Sequence, residues 1–178
     1  MAINNGMMER SVAVVGRGGT LTAGLLRRLV GLPVVELTPC QAALDDGRWR
    51  AVVVENFEPA DRRALSGCAA ARWELSKRAE VTVVGLDDPE GRRMAGAMGS
   101  SVYAYSDGRP QADLTAKNVR LRGERLEFEA LAGGELMRVR VPCGDAPRLY
   151  DHLAALAGAL ALGVSLPDAV ARLSVNRL

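Results

Sequence analysis

The chain has 178 residues, of which 48% are hydrophobic and 25% charged, enough to bury the core of one ordinary domain. Its 23 basic and 21 acidic residues are interspersed and leave a net charge of +2, which does not indicate a nucleic-acid or membrane surface. The sequence contains no apolar run of membrane-spanning length, and its first residues lack the order of a signal peptide. These properties predict a cytoplasmic protein that does not bind nucleic acid and does not insert into a membrane.

The first half of the chain alternates strand-like and helix-like segments. Four valine-rich runs are typical of strands, at 12–16, 33–37, 51–56 and 81–86. Helical patterns lie at 20–30, within 59–78 and within 88–98, and a short helical or loop stretch follows residue 37. Continuous valine runs between helices are typical of parallel strands covered on both faces. The pattern therefore predicts a doubly wound α/β sheet.

The pattern changes after Tyr103. Between about 112 and 142 the sequence alternates apolar and polar residues in three runs, which predicts an antiparallel meander with one wet face. Helical patterns return at 149–163 and 166–173. The predicted fold is a mostly parallel α/β sheet with an antiparallel β segment. We expect an N-terminal tail over 1–11 and a single domain over 12–178.

The three cysteines are Cys40, Cys68 and Cys143. They are widely spaced, odd in number and without a C-x-x-C motif, which argues against a zinc site or a disulfide framework. We expect them to be reduced, semi-buried packing residues.

A glycine-rich turn follows the first strand, in VAVVGRGGTLTAGLL at 12–26. Glycines allow a ligand to approach the backbone, and free N–H groups at a helix start attract anions. The lysine of a phosphate-binding loop is missing, however, since the first lysine of the chain is Lys77. From the residues alone this stretch is a nucleotide site, the remnant of one, or a tight turn.

A family resemblance rests on several pieces in order. The run VVGLDDPEGRRMAG, the β-rich stretch after it, and VPCGDAPRLYDHLAALAGALALGVSLPDAVARL resemble the second half of the central domain of Mur ligases. Those enzymes are the ATP-dependent amino-acid-adding ligases of peptidoglycan synthesis. The resemblance runs from about Val12 to the end and is strongest over 81–175. It implies the P-loop-like central-domain fold of that family.

The resemblance also implies a remnant of a nucleotide site. The segment Gly16, Arg17, Gly18, Gly19 and Thr20 matches the family's phosphate loop. An ungapped alignment puts Thr20 where the lysine belongs, and a gapped alignment deletes the lysine.

Three acidic residues match other family positions. Asp87 and Asp88 match paired aspartates that lie by the ribose, and Glu55 matches a metal-binding glutamate. The asparagine that precedes the paired aspartates is Gly85 here. Independently of the family, Asp88 before Pro89 is predicted to cap the helix that follows.

Other family residues are replaced. The D-H-L-D motif that contributes a metal-binding histidine is absent, and the two asparagines of the late helix fall near Arg148 and Asp151. The only histidine, His152, adjoins Asp151, but adjacent helix residues do not face each other, so we expect a surface or partly buried structural histidine. Lys77 lies near the position of the family's carbamylated lysine, although its basic neighbours are typical of a solvated helix face.

The resemblance therefore implies a stand-alone, catalytically degenerate domain, because a ligase needs flanking domains to hold its substrates. We expect a non-catalytic binding or scaffold protein with no cofactor beyond weak residual binding of ATP and magnesium. Its expected partner is a protein of cell-wall synthesis, and a homodimer is an alternative.

Two other functions stay open. One is an ATP-dependent ligase component that works with domains supplied in trans. The other is a dinucleotide-binding module, in which Glu36, twenty residues after Gly16, would bind the ribose. Leu21 in place of the third glycine of that motif argues against the second.

Overall fold

The computed structural model describes residues 11–16, 21–55, 69–142 and 148–174. Eight strands lie in these residues: β1 (Val12–Val15), β2 (Val34–Leu37), β3 (Trp49–Val54), β4 (Ala79–Gly85), β5 (Val102–Ser106), β6 (Leu114–Arg122), β7 (Arg125–Ala132) and β8 (Glu135–Pro142). All eight form one sheet, in the order β2-β1-β3-β4-β5-β6-β7-β8.

The helices of the same residues are α1 (Leu21–Val30), α2 (Pro39–Leu44), α3 (Ala69–Ser76), α4 (Pro89–Met98), α5 (Leu149–Ala161) and α6 (Leu166–Ser174). A short 3₁₀ turn, Gly99–Ser101, joins α4 to β5. Thr38 caps α2 in a capping box with Gln41, which explains why the ambiguous stretch after residue 37 is helical.

The sheet has a parallel part and an antiparallel part, as the sequence predicts. Strands β1 to β5 pair in parallel, and β6 to β8 pair as an antiparallel meander. The two parts meet where β5 and β6 pair in parallel over only two positions, Tyr105 with Leu114 and Ser106 with Thr115. The predicted fold class is therefore confirmed.

Helices cover both faces of the parallel part. Val12 and Val14 belong to a core with α1, α5 and α6, whereas Ala13 and Val15 belong to a second core with α2, α3 and α4. This alternation is what the two-residue period of a strand requires when both faces are buried. The first core continues under the meander through Leu126, Phe128 and Val139 of its inner face.

Helix α5 lies very close to α1 and β3. A β-carbon added at Gly158 would lie 3.1 Å from Cδ1 of Leu26 and 3.2 Å from Cγ2 of Val53. The glycine therefore allows the two helices and the sheet to pack closely.

Several sequence expectations change in detail. Strand β5 was not among the predicted strands, because its sequence VYAYS is short and rich in tyrosine. The expectation that Cys40 is semi-buried is wrong, because this free thiol is exposed on the short helix α2. Cys68, Cys143 and the part of the predicted helix before residue 69 lie outside the described residues.

Candidate functional site

Polar residues collect at the carboxyl edge of the parallel strands. Gly16 follows β1, Glu55 follows β3, and Asp87 and Asp88 follow β4. Open α/β sheets bind ligands at this edge, next to the point where successive connections leave in opposite directions. That point lies between β1 and β3 here, because β2 lies on the far side of β1. Gly16 and Glu55 flank it.

The Glu55 side chain occupies the space beside Gly16. A β-carbon added at Gly16 would lie 1.7 Å from Oε2 of Glu55 and 2.6 Å from its Cδ. The Glu55 main-chain N–H donates to the Val15 carbonyl at 3.1 Å, and the residue is only 8% exposed. The close approach that Gly16 allows is thus taken by a carboxylate of the same chain. Its negative charge would repel a phosphate at this point.

A small cleft lies next to Glu55, between the ends of β3 and β4. Its volume is about 10 Å³, room for a single water molecule. Buried Arg72 and Asp88 line it together with Glu55. The first turn of α4 closes it from one side, since a β-carbon at Gly91 would lie 2.0 Å from the Gly85 carbonyl oxygen. This cleft therefore has no room for a ligand larger than water.

Asp87 holds three segments together. Its carboxylate accepts hydrogen bonds from the Ser106 hydroxyl at 2.8 and 3.0 Å and from the Asp107 N–H at 2.7 Å. Arg109 Nε lies 3.4 Å from Oδ1. Burial raises the pKa of Tyr150, and the charges of Asp87 and Asp107 and a hydrogen bond to Asp87 raise it further. Asp87 thereby connects the end of β4 to the end of β5 and to α5.

Asp88 caps α4, as the sequence predicts. Its side chain accepts a hydrogen bond from the Glu90 N–H at 2.9 Å, and Pro89 begins the helix. The carboxylate satisfies a main-chain donor that has no partner inside the helix.

Tyr105 of β5 lies close to several carboxylates of this edge. It is fully buried, and burial raises the pKa of its phenol well above the usual value. The charges of four carboxylates raise it further: Glu55, Asp151, Asp88 and Asp87. Four carboxylates of this edge therefore act on one buried phenol.

The first turn of α5 is tied to α1. The Thr22 hydroxyl donates to Oδ1 of Asp151 at 3.3 Å, and Arg148 Nε lies 3.9 Å from Oδ2. Arg148 and Asp151 are the positions at which the resemblance places two asparagines, and here Asp151 joins two helices.

His152 is more deeply buried than expected. It is 2% exposed, so the expectation of a surface or partly buried residue is corrected. Its Nδ1 lies 2.8 Å from the Arg148 carbonyl oxygen, an acceptor, so we assign the proton to Nδ1. Burial lowers the pKa of His152, while this hydrogen bond and Asp151 act in the opposite direction.

The remaining candidates lie apart from this edge or outside the described residues. Arg17, Gly18, Gly19 and Thr20 fall outside the described residues. Glu36 lies in β2 at the border of the sheet, in register with Val14.

Lys77 follows α3 and forms an ion pair with Glu74 at 2.7 Å. Its side chain is 57% exposed, as expected for a lysine on a solvated surface.

Sequence reasoning missed Ser106, Thr22 and Tyr105. Ser106 bonds to Asp87 and Thr22 to Asp151, both distant in the chain, and the charges of four carboxylates raise the pKa of Tyr105. The only local signal was a polar residue at a strand or helix end, which is too common to indicate a partner.

The described ranges contain neither a metal-binding cluster nor a membrane-spanning helix. No group of three or more His, Cys, Asp or Glu residues there is arranged to hold a metal ion. No helix of that part of the chain is long and apolar enough to cross a membrane.

No protein-family model matches the sequence, and a search of curated proteins finds no match. Solved structures do match. A UDP-N-acetylmuramoylalanyl-D-glutamyl-2,6-diaminopimelate--D-alanyl-D-alanyl ligase from Acinetobacter baumannii is 19% identical with a TM-score of 0.78, and the match covers 97% of this chain and 47% of that one.

Two further structures have other substrates in their names. A UDP-N-acetylmuramoyl-L-alanyl-D-glutamate--2,6-diaminopimelate ligase is 16% identical with a TM-score of 0.76, over 93% of this chain and 46% of that one. A pseudomurein peptide ligase type C from Methanothermus fervidus is 13% identical with a TM-score of 0.74, over 96% and 50%. This chain thus spans about half the length of the structures it matches. Over nearly its whole length, it has the fold of the central region of Mur ligases.

Proposed function

We propose that this chain is a non-catalytic binding or scaffold protein of the cytoplasm, built on the Mur ligase fold and acting through a protein partner. The observation that carries the proposal is the contact between Glu55 and Gly16. The Glu55 carboxylate occupies the space beside Gly16, the first glycine of the predicted phosphate loop, 1.7 Å from the point where a β-carbon of Gly16 would be. Phosphoryl transfer depends on positioning and on neutralising phosphate charge, and this contact opposes both.

Two other features support the same conclusion. The cleft at Glu55 has a volume of about 10 Å³, and the Asp87 carboxylate is engaged by Ser106, Asp107 and Arg109. A side chain that already holds two strand ends together is a poor ribose ligand, because binding would break those hydrogen bonds.

The link to the cell wall comes from the fold. The solved structures that share it are named as ligases of UDP-N-acetylmuramoyl peptides and of pseudomurein peptides. We propose that the partner belongs to the synthesis of such a wall polymer. A second copy of this chain is the alternative partner.

The proposal is tested by thermal unfolding with magnesium and ATP. A site with a dissociation constant of about 10 μM would stabilise the fold by roughly 2.7 kcal/mol at about 1 mM ATP. That corresponds to a shift of several degrees in a protein of this size. We expect a shift below about 1 °C and no hydrolysis of ATP.

Two variants test the cause. Thr20→Lys supplies the missing cation but leaves Glu55 in place, so we expect it alone to restore no binding. Thr20→Lys combined with Glu55→Ala also removes the carboxylate, and should give a larger shift with ATP. The matched control combines Thr20→Lys with Glu80→Ala, which removes an exposed carboxylate at the start of β4.

One observation favours a second function. Glu55 lies at the carboxyl end of a central parallel strand, where a metal-binding carboxylate of an ATP-dependent ligase would be. If the chain is a ligase component that works with domains in trans, micromolar ATP should raise its melting temperature by several degrees. The chain should then also hydrolyse ATP, and Glu55→Gln should abolish that hydrolysis. Either result would overturn the non-catalytic proposal.

A further inference from the structure

The outward side of the meander carries a charged surface. Along β7 the residues alternate between buried and more exposed positions, and Leu126, Phe128 and Ala130 belong to the core. Arg125, Glu127 and Glu129 occupy the opposite, outward side. The neighbouring strands place their charged residues on the same side, because Arg140 pairs with Glu127 and Arg138 with Glu129.

Cations dominate this side of the sheet. Its six basic residues are Lys117, Arg120, Arg122, Arg125, Arg138 and Arg140. We call these six, with Glu127 and Glu129, the basic face. Two carboxylates against six cations leave four excess positive charges, whereas the whole chain has a net charge of only +2. The basic face therefore carries a larger net positive charge than the chain as a whole.

The charges of the basic face form three stripes. Both carboxylates lie on the middle strand, β7, whose first residue is Arg125, and the other five cations lie on the strands at either side. Lys117 and Arg138 are the two neighbours of Glu129, and Arg120 and Arg140 are the two neighbours of Glu127. Adjacent strands are about 4.8 Å apart, so the two positive stripes are about 10 Å apart with a negative stripe between them.

A β-bulge brings Arg120 and Arg122 to this face. The register of β6 against β7 shifts between Lys117 and Arg120, and Asn118 has a φ of 52°. Asparagine tolerates this left-handed conformation better than most residues. Without the extra residue, strand alternation would place Val119 and Leu121 outward and the two arginines inward. The irregularity of β6 thus determines the charge of the face.

The ion pairs within the basic face contribute little to the fold. Their N···O distances are 3.7 Å for Arg122 with Glu127, 3.7 Å for Arg138 with Glu129 and 3.5 Å for Arg140 with Glu127. The arginine side chains are 55% to 64% exposed. Exposed pairs with such geometry stabilise a protein only slightly. The guanidinium groups are therefore accessible to carboxylates of another molecule, to which they can donate two hydrogen bonds at once.

The same side has a groove and an apolar end. The groove has a volume of about 300 Å³ and is lined by Asn118, Arg120, Glu129 and Arg138, among others. The Asn118 amide donates to Glu129 at 2.6 Å along it. Beyond the charges, Leu136 of β8 pairs with Leu131 and is 54% exposed. Arginine beside exposed apolar area is a common composition of protein interfaces.

We propose that the basic face binds an acidic segment of a protein partner, with carboxylates on either side of a lysine or arginine. This inference rests on the proposed function, which requires a protein partner, and adds the surface and its chemistry. The stripes favour a protein over a nucleic acid, because a phosphate backbone would be repelled by Glu127 and Glu129. In addition, no outward residue of β6, β7 or β8 is aromatic, and Phe128, which contributes to the lining of the groove, is only 1% exposed, so these strands present no accessible ring on which bases could stack.

The test begins with a random twelve-residue peptide library displayed on phage and selected on the immobilised full chain. Counter-selection uses the double variant Arg138→Glu/Arg140→Glu. We expect the enriched peptides to carry carboxylates on both sides of a lysine or arginine. A fluorescein-labelled peptide of the consensus sequence is then titrated by fluorescence anisotropy.

Three double variants locate the binding surface. Arg138→Glu/Arg140→Glu should weaken binding at least about tenfold, since each reversal replaces attraction by repulsion. Arg48→Glu/Arg50→Glu is the matched control, because these exposed arginines have the same spacing at the start of β3, and its affinity should stay within about twofold. Glu127→Gln/Glu129→Gln should lower the affinity for the peptide, because the central lysine or arginine of the peptide loses its carboxylate partners. Circular dichroism and thermal melts check that every variant is folded, and Arg138→Gln/Arg140→Gln replaces the reversal if that variant does not fold.

Three results would overturn the inference. One is a library that yields no peptide specific for the wild-type chain over the double variant. Another is an equal loss of affinity in Arg48→Glu/Arg50→Glu. The third is a ten-nucleotide oligothymidylate that binds more tightly than the peptide and gains affinity in Glu127→Gln/Glu129→Gln. Magnesium-ATP melts on the same preparations report separately on the proposed function, since the ATP result does not involve these arginines.

Discussion

The two polar regions of this protein differ in how their charges are satisfied. At the carboxyl edge, Glu55 and Asp88 are buried and the Asp87 side chain is 20% exposed, and Asp87 and Asp88 bond to groups of the same chain. On the basic face, arginines are more than half exposed and their ion pairs are long. Buried polar groups are costly to disturb, whereas exposed pairs are not. Charge at the first region therefore belongs to the fold, and charge at the second is available for binding.

At the carboxyl edge, the largest loss of stability is expected from one added methyl group in α4. Gly91→Ala would place a β-carbon 2.0 Å from the main-chain oxygen of Gly85, which cannot move without shifting β4. We expect a loss of about 3 kcal/mol or more in the free energy of unfolding, measured by urea denaturation.

Gly96→Ala in the same helix is the matched control. A β-carbon there meets no atom within 4 Å, so the substitution should stabilise the protein by about 0.5–1 kcal/mol. If both variants have the same stability, Gly91 does not pack tightly against β4, and the contact described between α4 and β4 is contradicted.

Removal of the Asp87 carboxylate should have the next largest effect. Asp87→Ala leaves the Ser106 hydroxyl and the Asp107 N–H without their acceptor, which should cost about 2–3 kcal/mol of unfolding free energy. Tyr150 should then titrate at lower pH, because the charge and hydrogen bond of Asp87 help to raise its pKa. Ultraviolet titration of the tyrosines measures that change. An unchanged titration together with unchanged stability would show that Asp87 is not engaged.

The buried imidazole predicts a moderate pH dependence. The pKa of His152 is lowered in the folded state from its ordinary value of 6.5, so the unfolded chain binds the proton more readily. The contribution of His152 to stability is therefore complete above about pH 6.5 and is lost as the pH falls towards the folded pKa, by at most about 1.4 kcal/mol per pH unit.

Urea denaturation between about pH 5 and pH 7 measures this slope. His152 is the only histidine of the chain, so His152→Gln should remove it. A slope that persists unchanged in the variant would assign the effect to carboxylates instead.

The smallest expected effect lies on the basic face. Arg140→Ala removes one side chain that is 55% exposed and 3.5 Å from Glu127, so the free energy of unfolding should change by less than about 1 kcal/mol. Thermal melts at low and high salt measure it. If Arg140→Ala lowered the free energy of unfolding as much as Asp87→Ala does, the charges of the basic face would contribute to the fold as much as those of the carboxyl edge, and the comparison would be contradicted.

The sequence predicted the sheet well because its signals are local. Valine runs, the capping Asp88 before Pro89 and the alternation after residue 112 each lie within a few residues of what they determine. Strand β5 was missed because VYAYS carries too little of the valine pattern. Cys40 was expected to be semi-buried because cysteine usually is, but its position on α2 is exposed.

The candidate site was harder to predict because its contacts are long-range. Glu55 was identified by family resemblance as a metal ligand, yet its contact with Gly16 arises only because β3 lies beside β1 in the sheet. The hydrogen bond from Ser106 to Asp87 likewise depends on the pairing of β4 with β5. The sequence shows which residues are charged, but their partners depend on which strands lie next to each other in the sheet.

The close packing of α5 on α1 has a consequence for synthesis on the ribosome. The buried face of α1, with Leu26 and Leu29, lies in the same core as α5, which begins only at Leu149. At translation speeds of about 5–20 residues per second, the chain needs on the order of 6–25 seconds to extend from one helix to the other. During that interval the apolar side of α1 lacks its cover, and the emerging chain presents a surface that chaperones recognise. Co-translational folding of this protein should therefore be completed late, when α5 has left the exit tunnel.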